Sequence, residues 1–425
     1  MPGTQIPQGS TSRKQTSNRS TAVIVVLFCS MVLAAVSVAA QSSSYNVGIR
    51  QLAKLTPSDG IRGGGFGNFV STNGNTVVVS EERDFVYVFV RPESGWADMT
   101  QTAELRASDG ANLASAVGIS GNTVVATGWQ GSAVYVFVEP PTGWADMTET
   151  AKLSASDGGQ FWSVAISGDT VVAGQQNWQA SGTAYVFVRP SGGWTNMTET
   201  AKLTASDPQT ANLLGFSVAT NGDTVAAGAI DATVNSNLQQ GAVYLFLKPA
   251  GGWVDMTETA KLTASNGLPH DGLGWAVGLS GSGTTVVAVA PYKKDGSGKP
   301  APGEAYVFEE PPTGWISATE NARLGQRMEP REEFFSSVAI SNNGKLVAVG
   351  ADDNGDGTLQ GCEDLFIEPV AGWKSTSKAT AVLTAGSDGK AGDQFGRASG
   401  IGLGFGVVTA PYVGSGVAYV FGAHK

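Results

Sequence analysis

Charge, histidine and cysteine are all scarce in this chain. Asp, Glu, Lys and Arg make up 15% of the 425 residues, well under the usual quarter of a globular sequence. The only histidines are His270 and His424. A histidine metal cluster is therefore excluded, and a Ser-His-Asp triad would depend on His270 alone. The two cysteines are Cys29 and Cys362. Cys29 falls in an apolar leader, which leaves Cys362 without a partner for an internal disulfide. Cys362 reads as a small buried hydrophobe. There is no nucleophile elbow, no phosphate-cradling glycine loop and no long amphipathic helix. The chain is not expected to be an enzyme. The alternative is an extracellular hydrolase with a carboxylate pair, since acids are plentiful.

Lys and Arg total 26 against 36 Asp and Glu, and Arg13, Lys14 and Arg19 lie in the leader with no acid. The remainder thus holds 23 basic and 36 acidic residues, a net charge of −13. That balance excludes a basic footprint for nucleic acid and leaves cations open. Residues 22–40 are almost wholly apolar and end in Val38-Ala39-Ala40. Small residues there suit a signal peptidase, so residues 1–40 read as a signal peptide. An uncleaved signal anchor is the rival, because nineteen residues can span a bilayer. In either case residues 41–425 face the outside or a secretory lumen, and the only membrane contact is through residues 22–40 if uncleaved. Asn196-Met197-Thr198 is then a glycosylation sequon at Asn196. Asn18 is also in a sequon but belongs to the leader.

Glycine, by contrast, is abundant at 57 residues, about twice average usage. Much of it punctuates a repeat. Ala-x-Leu ends at Leu55, Leu105, Leu153, Leu203, Leu262, Leu324 and Leu383, in steps of 50, 48, 50, 59, 62 and 59 residues. Periods of this size mark propellers or solenoids. Within Phe161–Leu203 four short apolar runs alternate with turns. Tyr185 and Phe187 share one strand face and Ala184, Val186 and Val188 the other. Four antiparallel strands make a blade that cannot bury both faces alone, so blades must stack. The reading is an all-β, seven-bladed propeller over residues 41–425. The chain stops after Ala418-Tyr419-Val420-Phe421, a third-strand sequence, and a spare strand-four sequence lies near residues 51–56. The N-terminal strand is therefore expected to complete the last blade and remove an exposed edge.

A Gly-Trp pair between strands three and four recurs at Trp96, Trp144, Trp194, Trp253, Trp315 and Trp373. Tryptophan recurring at one place reads as a plug between blades, since a ring of surface tryptophans would invite aggregation. The strand two to three loops are long in blades four, five and six (Ile230 to Gln240, Pro291 to Gly303, Asp352 to Gly361). They share a face with the blade-to-blade connections that carry Asp59, Asp109, Asp157, Asp207, Asn266 and Asp388. These acids read as turn formers. Variable loops on one face of a regular scaffold mark the binding face, around Trp129, Trp178, Ile230, Lys293 and Asp352. Trp129 and Trp178, in equivalent loops of adjacent blades, are candidate ligand-binding residues that either stack on a sugar or cover a blade edge. Asp352, Asn354, Asp356 and Glu363 fit the spacing of a calcium loop, in which alternating oxygen ligands wrap a hard cation. The rival reading is a solvated acidic hairpin loop.

Phe66-Gly67 and Phe395-Gly396 at the start of strand one, with Ala290-Pro291 and Ala410-Pro411 after strand two, resemble the FG-GAP repeats of integrin α-subunit heads. Gly228-Ala229 and Gly350-Ala351 are partial forms. The resemblance spans about residues 50–421 and implies an extracellular propeller that binds a protein or glycan on one face. Integrin repeats often hold calcium between strands one and two. Here that connection is a tight turn, as at Gly168-Asp169, so the resemblance implies no cation there.

Overall fold

The computed structural model describes residues 48–423 apart from 60–64, 82–84, 114, 129–130, 176–180, 208–211, 295–296, 300, 326–333 and 353–359. The leader, and with it the choice between signal peptide and anchor, lies outside the described residues. Ile49–Ala423 form one compact unit. Apart from a 3-10 turn at Gly386–Asp388, its regular structure is all strand, in seven small sheets.

Each sheet is one blade. In blade three the inner strand Phe161–Ser167 pairs with Thr170–Gln175, that strand with Thr183–Val188, and the last with the outer strand Ala201–Thr204, all antiparallel. The third strands of blades one and two, Phe85–Val90 and Ala133–Val138, have the bounds their Tyr/Phe alternation gives. The inner strands touch their neighbours all the way round, from Val70–Thr72 of blade one to Ser399–Ile401 of blade seven and back. The ring is closed. Ile49–Thr56 is the outer strand of blade seven, with Ala53 opposite Val420 and Leu55 opposite Ala418.

Alternate side chains of each strand serve the two neighbouring seams. Tyr185 and Phe187 pack toward blade two, while Ala184 and Val186 pack toward blade four with Ala201 and Leu203. Seven apolar clusters follow, one per seam. Six contain a tryptophan of the Gly-Trp series. Trp253, Trp315 and Trp373 also donate their indole N–H to Gly222, Gly283 and Gly344 in the first turn of their own blades, at 3.2, 2.9 and 3.2 Å. These three plugs are thus fixed at both ends, apolar body in the seam and polar tip on a turn, whereas the indole N–H groups of Trp96, Trp144 and Trp194 are buried without a partner.

Two devices were not legible in the repeat. The first is a fifth strand. A two-residue segment ahead of each of several outer strands crosses to the preceding blade and adds to its edge in parallel, as Met197–Thr198 does on Leu153-Ser154. Blades therefore have four or five strands. The second is a clasp. Asp109, Asp157 and Asp207, expected as turn formers, reach forward to the next blade. Each accepts from a buried tyrosine there (Tyr135, Tyr185, Tyr244) at 2.8 to 3.1 Å. Each also meets that blade's Lys152, Lys202 or Lys261. Burial and the neighbouring carboxylate push the Tyr135 hydroxyl up to about 12, so it stays a donor at any ordinary pH. The Lys152 ammonium holds Asp109 below the usual carboxylate range.

Candidate functional site

The face that carries the strand two to three loops also carries the entries to the inner strands, and there the side chains change character. Trp162, Phe216 and Trp275 stand at the entries of blades three, four and five. Ring centroids are 6.3 Å apart from Trp162 to Phe216 and 5.0 Å from Phe216 to Trp275. Tyr292, from the long loop of blade five, continues the series 5.4 Å beyond Trp275. Four aromatic residues thus run in contact around the mouth of the central channel, across three blades.

Local packing holds this arc. Phe216 is anchored by Leu213 and Ile230. Leu213 adopts φ +57°, an uncommon conformation for a branched residue. The loop of blade four is tied down by Asp231 N–H to Asn212 O and His270 N–H to Leu238 O. Tyr292 is half-exposed, and Trp162 and Trp275 are partly buried.

Polar groups flank the arc at both ends. On the blade four side, burial raises the Asp231 carboxyl, opposed by a hydrogen bond from Gln239 and by the charge of His270. His270 Nδ1 lies 2.5 Å from Gln239 Oε1. On the far side Arg397, at the entry of blade seven, donates to Asp352 at 3.2 Å. Both act electrostatically on the Tyr292 hydroxyl, whose burial raises it first of all. Lys293, named as a face residue, is instead buried. Its ammonium bonds Asp271 at 2.5 Å and lies 5.8 Å from the Tyr306 ring, fastening the blade five loop from below.

Trp129 and Trp178 lie outside the described residues, as do Asn354 and Asp356. The remaining two members of the calcium spacing are committed elsewhere. Asp352 is paired with Arg397. Glu363 is fully buried in the seam toward blade seven, accepting from Ser399 Oγ at 2.7 Å, while its Oε1 has no partner. In the other blades that strand position holds Val86, Val134, Ala184, Val243, Ala305 or Ala418. Among the described residues no three His, Cys, Asp or Glu side chains converge as a metal site. The Asn196 sequon is exposed. Its Oδ1 accepts the Lys152 amide at 2.8 Å, which leaves Nδ2 for a glycan. Further out, Thr233, Asn235, Ser317 and Thr319 line an open hollow of about 490 Å³. Its charged pair, Asp207 and Lys261, is one of the clasps.

Glu363 yields a pH prediction. Burial raises its carboxyl well above the ordinary range, with Ser399 opposing and Asp364 adding to the rise. A folded-state value above the unfolded one means stability is full at low pH, below the unfolded value. It is lost as pH rises toward the folded value. Glu363→Gln keeps the shape and a Ser399 partner but cannot ionise. The variant should be more stable by about 1–3 kcal/mol near pH 8, with the gap closing toward pH 4. Urea unfolding at the two pH values checks this; an equal gap at both would refute it.

The architecture defines the class, a closed ring of seven like-built blades. The FG-GAP repeat family model matches residues 49–89, 147–187, 197–246 and 256–308. The first covers the outer strand of blade seven with the first three strands of blade one, and the others join the outer strands of blades two, three and four to the first three strands of blades three, four and five. Set in that ring, the four matches show FG-GAP repeats in this chain, in a seven-bladed propeller consistent with that of integrin α-subunit heads. No curated protein matches the chain significantly.

Proposed function

We infer that the protein is an extracellular binding module whose ligand, a protein or a glycan, docks at the channel mouth on the loop-rich face. The FG-GAP propeller is an interaction scaffold, and the aromatic arc of Trp162, Phe216, Trp275 and Tyr292 carries the assignment of the face. Fixed aromatic rings flanked by a few polar groups are how recognition sites combine contact area with orientation. The lectin-like reading draws on the same arc, since Asp231, Gln239 and Arg397 supply hydroxyl partners beside the rings. A carboxylate hydrolase is less well supported, because Asp352 is neutralised by Arg397. Calcium at Asp352, Asn354, Asp356 and Glu363 is not part of this reading.

The test is a screen of the purified protein against a glycan array and an array of secreted proteins, followed by two variants. Trp275→Ala should weaken binding of a genuine ligand on the order of thirtyfold. Val370→Ser, 91% exposed in a strand three to four connection on the other face, should leave it unchanged. Binding that survives Trp275→Ala and falls with Val370→Ser would overturn the assignment.

A further inference from the structure

Among the described residues the ring is clipped at every seam but one. Met99–Thr100 of blade one pairs in parallel with Leu55-Thr56 of blade seven. Met147–Thr148, Met197–Thr198, Met256–Thr257 and Ala318–Thr319 do the same for blades one to four, and Thr376 makes a single parallel bridge to Leu324 of blade five. The residue before each pair caps an outward N–H of the strand it joins. Asp98 takes Lys54, Asp146 takes Glu104 and Asp255 takes Lys202, at 2.8, 2.9 and 2.8 Å. The residue after the pair completes the clip: Glu258 accepts from both the backbone N–H and the Oγ of Ser206.

Blade six lacks this clip. Its outer strand is Ala381–Leu383, and among the described residues nothing pairs with the free side. The cause is the ring closure itself. The outer strand of blade seven comes from the N-terminal end, and Ile49–Gln51, which stand where a clip would begin, pair with Phe421–Ala423 instead. Val382 faces Asp364 across the ladder as Glu104 faces Tyr87, so its N–H is the one a clip would cap. It is 57% exposed. The same seam has no tryptophan plug, and Tyr419, whose counterparts Tyr87, Tyr135, Tyr185 and Tyr244 bond an aspartate, has an unpartnered hydroxyl. An uncovered, uncharged strand edge is a template for another chain.

We propose that the outer edge of blade six binds an extended segment of a partner polypeptide, parallel to Ala381–Leu383, with the acid–apolar–threonine–acid sequence of the chain's own clips at residues 146–149 and 255–258. The acid caps Val382 N–H, and the apolar residue lies beside Leu383 as Met256 lies beside Leu203. This site is independent of the channel mouth.

The probe is a fluorescein-labelled peptide of residues 253–259, titrated with the full chain and followed by anisotropy. Saturable binding is expected. Changing the aspartate of the peptide to alanine should weaken it about tenfold, and proline in place of its methionine should abolish it. In the protein, Val382→Pro removes the outward donor at an edge position that tolerates proline. It should abolish binding while the melting temperature is kept. Because the peptide variants leave the protein untouched, a misfolded Val382→Pro cannot decide the matter. No binding, or equal binding of all three peptides, overturns the proposal. Binding that appears only once residues 41–47 are removed, or self-association that the peptide does not compete with, assigns the edge to another occupant and overturns it equally.

Discussion

A chain lacking residues 49–56 is expected to lose its cooperative unfolding transition altogether. Ala53 and Leu55 are buried in the seam between blades seven and one, against Phe66, Tyr87 and Phe405. Removing one buried leucine side chain typically costs about 2–5 kcal/mol. The deletion removes that, the whole ladder to Val417–Ala423, and the ion pair of Lys54 with Asp388. A domain has only about 5–15 kcal/mol of net stability. The loss also leaves the long third strand of blade seven as an open edge, a ready site for aggregation. Far-UV circular dichroism during heating checks the outcome, and adding a synthetic peptide of residues 48–57 should restore a transition. A deleted chain that melts like the intact one would show that the ring does not need its closing strand.

Gly174→Ala is expected to be nearly as severe, although it adds a single methyl group. A Cβ at Gly174 would sit 1.9 Å from the carbonyl oxygen of Gly215. Gly215 belongs to the entry of the next blade and holds φ +91°, a conformation open to glycine and strained for other residues. The same pairing recurs as Gly228 on Gly274 and Gly350 on Gly396, at 2.1 and 1.9 Å. Here lies the physical content of the repeat motif. The glycine late in one blade's second strand and the Phe-Gly or Leu-Gly that opens the next are two halves of one backbone-to-backbone contact. The obstacle is backbone, so the blades must part to admit the methyl, at a cost of about 3 kcal/mol or more. Gly251→Ala, with open space around its Cβ, should stay within about 0.5 kcal/mol of wild type. Denaturant melts of the two variants give the comparison; similar midpoints would contradict it.

What the sequence disclosed, and what it withheld, follows from the range of the forces involved. Strand three of each blade was legible because Tyr and Phe alternate with small residues, and alternation is a local signal. Closure was legible because a strand was missing at one end and spare at the other. The clips were not, since a Met-Thr pair has no periodicity and gains meaning only from the blade it reaches. Asp109 and Asp157 looked like turn residues because their tyrosine partners lie 26 and 28 positions away. The calcium spacing at 352–363 is a pattern along the chain, and such a pattern does not say which strand face Glu363 occupies. The aromatic arc escaped for a related reason. Trp162, Phe216 and Trp275 each look like an ordinary strand opening, and only the ring brings them together. Their shared place, just ahead of the Ser or Ala of the inner strand, is the signal that could have found them.

The central claim is that residues 49–56 close a seven-bladed ring as the outer strand of blade seven. Zero-length carbodiimide cross-linking of the monomer, read by peptide mass spectrometry, addresses it at one contact. Lys54 meets Asp388 in the connection between blades six and seven, so a covalent link between the two peptides is expected within single molecules. Lys54 linked only to residues near it in sequence, or joined to Asp388 only in dimers, would contradict the closed ring.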